Sequence, residues 1–141
     1  MGKGQISWDM LMIAAVVLII FLFLFQVYTD RAQSVRTFEM QLAAQRVADG
    51  IGRTIDHSWL GGNGSVSHSL LPESLPHGEP YNVSIRGRQV LVLYNSGISG
   101  RVASYVTITS NVTATNFTMA PPAGSTMLNV TNANGTVTVV G

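Results

Sequence analysis

Met10 to Phe25 is an unbroken run of apolar side chains, and Val27 and Tyr28 extend it beyond Gln26. No other feature constrains the fold so strongly. Keeping a single Leu, Ile, Val or Phe from water is worth about 1.5–3 kcal/mol, so leaving the run solvated would cost on the order of tens of kcal/mol. At a rise of about 1.5 Å per residue, the run as a helix just reaches the roughly 30 Å of a bilayer core. A helix in the core of a small soluble domain keeps a polar face. This run has none, so membrane residence is expected.

The helical pattern continues past Tyr28 and becomes amphipathic. Val35, Phe38, Leu42, Val47, Ile51, Ile55 and Trp59 recur at spacings close to one helix face. Arg36, Glu39, Arg46, Arg53 and Asp56 fall mostly off that stripe. Part of the stripe is expected to pack on the protein's own domain. Gly50 and Gly52 weaken a helix by up to about 1 kcal/mol each relative to alanine, so a bend is expected there. A helix from Ser7 to about Leu60 would run roughly 80 Å, far longer than a small domain. Such a rod calls for neighbours.

Gly61-Gly62-Asn63-Gly64-Ser65 ends the helix, and Pro72, Pro76 and Pro80 mark a loop over 61–80. The remainder, 81–141, reads as β. Tyr81, Val83 and Ile85 alternate with polar residues, Gly87 makes a turn, and Gln89–Tyr94 is a continuous strand. Val102–Met119 holds one long or two shorter Thr-rich strands. The end reads as a hairpin, Met127–Thr131 and Thr136–Val140 around Asn132-Ala133-Asn134-Gly135. The fold class is therefore α+β: a long N-terminal hydrophobic helix (5–60, apolar over 10–28 and then an amphipathic stalk) carrying a small antiparallel β-sheet head.

Composition narrows the function. Charged residues make up 11% of the 141, with 8 Lys+Arg against 7 Asp+Glu. That balance argues against a nucleic-acid binder working through a broad basic surface. Cysteine is absent, which removes disulfides, thiolate metal sites and cysteine nucleophiles. With 46% hydrophobic residues the chain is not disordered by composition. His57, His68 and His77, with Glu73 and Glu79, lack the short helical spacing of a zinc site. Gly61-Gly62-Asn63-Gly64 lacks the Lys-Ser/Thr of a phosphate loop, and there is no Gly-x-Ser-x-Gly elbow. The expectation is a protein that is not an enzyme and holds no cofactor or metal.

Six Asn-x-Ser/Thr sequons begin at Asn63, Asn82, Asn111, Asn116, Asn129 and Asn134, and they use six of the chain's eight asparagines. Random placement would give about one or two. The excess points to an exported head whose uncharged strands gain solubility from N-linked glycans. The loop sites Asn63 and Asn134 are the first expected to carry sugar. Flanking charge points the other way. Arg31 and Arg36 follow the span and Lys3 precedes it, which by the positive-inside tendency would leave the C-terminus inside. The sequons are taken as the stronger signal.

The segment before the apolar run is Met1-Gly2-Lys3-Gly4, followed by Gln5-Ile6-Ser7-Trp8-Asp9. Lys-Gly followed by Gln-x-Ser-x-acid and a hydrophobic helix resembles the class III signal peptides of archaeal type IV pilins, over about the first thirty residues. The resemblance implies cleavage between Gly4 and Gln5, which makes 1–4 a leader and Asp9 the fifth mature residue. Glutamate is usual at that place, and Ile13 stands where the family prefers leucine. The resemblance further implies a prepilin peptidase and an assembly machinery as partners. It implies that the precursor sits in the cytoplasmic membrane with its head outside, and that the subunit joins a helical homopolymer, an extracellular filament at the cell surface with adhesion as its default role. The new amino group of Gln5 would pair with Asp9 of a neighbour. From its sequence alone, Asp9 reads as a first-turn acid after a capping Ser7, beside an interfacial Trp8. An archaellin is a related alternative. A non-polymerising single-pass envelope glycoprotein is the alternative from another class.

Overall fold

The computed structural model describes residues 3–95, 100–109, 111–114, 117–119 and 126–141. Helix α1 (Lys3–Leu60) is followed by strands β1 (Val66–Leu71), β2 (Tyr81–Arg86), β3 (Gln89–Asn95) and β4 (Gly100–Val106). Strands β5 (Val112–Ala114), β6 (Phe117–Met119), β7 (Thr126–Ala133) and β8 (Thr136–Val140) complete the order. This is the expected α+β arrangement, a long N-terminal apolar helix and a small, mainly antiparallel sheet region. Two compact units divide it, Met1–Thr37 and Phe38–Gly141.

The first unit is helix alone. From Met10 to Tyr28 each large apolar side chain is 42% to 73% exposed, and among the described residues none covers them. Alanine, leucine and methionine favour the helix, which has no polar stripe here. The segment is long and apolar enough to cross a membrane.

In the second unit the strands form two four-stranded sheets, ordered β1-β7-β8-β5 and β4-β3-β2-β6. Neighbours pair antiparallel except β5 and β8, which are parallel. The C-terminal half of α1 packs its Met40, Ala44, Val47, Ala48, Ile51 and Ile55 into a core shared with inward residues of both sheets. Those residues include Val83, Val90 and Val92 from one sheet and Leu128, Val130, Val137 and Val139 from the other.

Part of the expected stripe packs and part does not. Val47, Ile51 and Ile55 are buried, but Val35, Phe38 and Leu42 are 56%, 61% and 43% exposed. Small residues four apart share the packed face: Ala44 and Ala48, both fully buried, and then Gly52. A Cβ at Gly52 would overlap the Tyr105 ring. Gly52 thus admits a tyrosine against the helix, and α1 is continuous through Gly50 and Gly52.

The helix stops at Gly61-Gly62. Gly62 takes φ +79°, a left-handed C-terminal geometry that glycine adopts without a Cβ clash. Asn132 of β7 donates from Nδ2 to the carbonyls of Ser58 (3.2 Å) and Trp59 (3.4 Å), satisfying helix-end acceptors from a neighbouring strand.

The segment 61–80, expected as loop, contains β1 and a short 3-10 turn at Pro76–Gly78. β1 lies at a sheet edge with one face outward, and its weak alternation becomes a strand by pairing with β7 from Val66↔Thr131 to Leu71↔Thr126. Residues 102–119 hold three strands rather than one or two, because the chain passes from one sheet to the other and back. The terminal hairpin is tighter than expected. Ala133 pairs with Thr136 across Asn134 and Gly135, both at positive φ (51° and 79°), the signature of a type I′ turn.

Candidate functional site

Two features stand out as surfaces rather than clefts: the uncovered apolar helix and the sequon asparagines of the second unit. Gly4 and Gln5, the residues on either side of the expected cut, lie within α1. Ser7 is also inside the helix, so it is not its N-cap. Asp9 is exposed in α1, and no acidic residue occupies the first turn. The reading of Asp9 as a first-turn acid is therefore corrected: the helix begins at Lys3, a turn earlier than expected.

The sequon asparagines fall into two kinds. Asn63 and Asn134 are joined side chain to turn: Asn134 N donates to Asn63 Oδ1 (2.8 Å), and Asn63 Nδ2 donates to Asn134 Oδ1 (3.2 Å). Asn111 donates from Nδ2 to the Gly135 carbonyl (2.8 Å) and to Thr136 Oγ1 (3.0 Å), which occupies both amide protons. These three act as loop fasteners. Asn82 on β2 and Asn129 on β7 face outward instead. Asn129 Oδ1 accepts from His68 Nδ1 (2.7 Å), and its Nδ2 makes no hydrogen bond among the described residues. Asn82 makes no side-chain hydrogen bond among the described residues. Asn116 lies outside the described residues.

Polar contacts sequence reasoning had missed join the helix to the second sheet. Asp56, only 7% exposed, accepts from Tyr105 Oη and from the Ile108 amide, each at 2.8 Å. The Asp56 hydrogen bond, then burial and the carboxylate's charge, hold the Tyr105 phenol above its ordinary pKa. Gln45 Nε2 donates to Asp49 Oδ1 (2.8 Å) and to the Ser104 carbonyl (3.1 Å), satisfying an acceptor on the edge strand β4. Their sequence signal was faint: polar residues flanking the small-residue stripe.

Among the described residues no three His, Cys, Asp or Glu side chains come together as a metal site. His68 is engaged with Asn129, and His77, at φ +67°, stands 3.5 Å from Glu39 in a half-exposed pair. Such pairs contribute about 0–1 kcal/mol. Comparison with protein-family models, with curated proteins and with solved structures finds no match.

Proposed function

We propose that the chain is the structural subunit of an archaeal type IV pilus-like extracellular filament, made as a membrane-anchored precursor. The observation that carries this reading is the uncovered helix, whose large side chains from Met10 to Tyr28 are all solvent-facing in the single chain. An apolar surface of that extent requires lipid or protein around it. Helices of neighbouring copies supply protein. The segment 1–9, with its resemblance to a class III leader, favours a helix that first sits in lipid and then moves into a filament core. A prepilin peptidase would free Gln5, an assembly machinery would stack the subunits, and the sequon-bearing head would face outward and serve adhesion. A non-polymerising envelope glycoprotein would account for the same helix by lipid alone. Electron microscopy of appendages sheared from the source cells, with peptide identification, separates the two. Filaments containing this chain support the proposal, and recovery of the chain only from membranes contradicts it.

A further inference from the structure

The core-facing side of each sheet is apolar, and so is much of the outward side. On β1-β7-β8, Val66, Leu70, Met127 and Val140 are 53% to 68% exposed. At their centre is Asn129, paired in register with His68 on one side and Val140 on the other. On the other sheet, Leu93, Val102 and Val106 are 40% to 59% exposed. Asn82 lies opposite Leu93, which in turn lies opposite Val102. Each outward apolar face therefore holds one sequon asparagine. Because strand residues two apart share a face, the Ser84 and Thr131 of these sequons point the same way.

From this arrangement we infer that Asn82 and Asn129 are the glycan-bearing asparagines, and that each N-linked oligosaccharide lies over the apolar face of its own sheet. This rests on the reading that the head is exported to a glycosylating compartment. The amide chemistry supports the choice. N-linkage replaces one Nδ2 proton with a sugar carbon. At Asn111 that would break a bond to Gly135 or Thr136, and at Asn63 it would crowd the bond to Asn134. Among the described residues neither Asn82 nor Asn129 donates from Nδ2, so linkage breaks no bond there. Asn134 Nδ2 is equally undonated, but Asn134 sits in the β7–β8 turn and on neither apolar face.

A second observation points to the same occupant. Ser84, 6% exposed, has a buried Oγ with no hydrogen-bond partner among the described residues. Buried hydroxyls are rarely left so. Ser84 lines a shallow hollow of about 230 Å³ with Asn82, Arg86, Leu91 and Leu93, and a larger one of about 530 Å³ flanks Asn82 beside Leu93 and Val102. A sugar attached at Asn82 enters these hollows directly. Its hydroxyl or acetamido groups offer Ser84 a partner, while its C–H faces cover Leu93 and Val102.

Site-resolved glycopeptide mass spectrometry of the full chain from the cell surface tests the assignment. Saccharide mass shifts are expected at Asn82 and Asn129, with the Asn111 peptide unmodified. The double variant Asn82→Gln and Asn129→Gln should bind more of an apolar fluorescent dye than wild type, and Thr113→Ala, which removes the Asn111 sequon but keeps the bonds of Asn111, should match wild type. Sugars confined to Asn63, Asn111 or Asn134 overturn the placement while leaving the exported-head reading intact. Unchanged dye binding in the double variant overturns the covering role. Bare peptides at every sequon overturn both the placement and the reading beneath it.

Discussion

Tyr105 Oη donates to Asp56 Oδ2 at 2.8 Å, and the other oxygen of that carboxylate accepts from the Ile108 amide, also at 2.8 Å. One helical side chain thus fixes the end of β4 and the segment that follows it. Removing Asp56 takes the protein acceptor from a part-exposed phenol and from the Ile108 N–H, groups that water can partly satisfy. Asp56→Ala should therefore destabilise the second unit by roughly 1–2 kcal/mol. Tyr105→Phe, which leaves the Ile108 contact, should cost about 1 kcal/mol. Urea denaturation monitored by circular dichroism measures both. Equal and negligible effects would mean that the contact does not hold the helix to β4.

Gly50 and Gly52 should respond to alanine with opposite signs. Nothing lies within 4 Å of a Cβ at Gly50, whereas one at Gly52 meets the Tyr105 ring. Gly50→Ala should stabilise by about 0.5–1 kcal/mol through helix propensity. Gly52→Ala should destabilise by about 1–3 kcal/mol through overpacking. Their melting temperatures, compared with wild type, decide the matter.

Tyr81 is 1% exposed, and its Oη donates to the Pro72 carbonyl at 2.6 Å. Burial pushes its pKa from 10.0 up to about 12. A raised acid pKa means that the folded state holds the proton more tightly. The associated stability is complete below pH 10 and is lost as pH rises from there through about 12. Stability measured across that range should fall more steeply for wild type than for Tyr81→Phe. Parallel curves would exclude Tyr81 as the source of alkaline sensitivity.

Asp9 is exposed in α1 and beyond its first turn, where the helix dipole contributes little. If its role is to pair with the amino group of a neighbouring Gln5 during assembly, Asp9→Ala should leave the protein expressed and membrane-inserted but sharply reduce filament number. Counts of filaments per cell by electron microscopy test this. Normal counts would leave the carboxylate no part in assembly. Cyclisation of Gln5 would remove the charge and weaken the effect.

The apolar helix, β2, β3 and the terminal hairpin were legible because each has one dominant local signal. These are an unbroken apolar run, alternation around Val83, the continuous stretch Gln89–Tyr94, and Asn134-Gly135 between β-branched segments. β1 was not legible, since Val66-Ser-His-Ser-Leu-Leu acquires its strand from β7 and carries little propensity of its own. The helix stripe was legible in part. Hydropathy marks Val47, Ile51 and Ile55, which are buried, together with Val35, Phe38 and Leu42, which are not, and it passes over the buried Ala44, Ala48 and Gly52. Sequence located the sequons but not the bonds their amides make. Those bonds depend on residues such as His68 and Asn129, or Asn63 and Asn134, far apart in the chain.

Passage of the apolar helix from membrane to filament, as proposed, follows removal of a leader. Mass spectrometry of the amino-terminal peptide of the chain in sheared filaments checks this. The peptide is expected to begin at Gln5, free or cyclised. Filament protein that begins at Met1 or Gly2 would overturn the proposal.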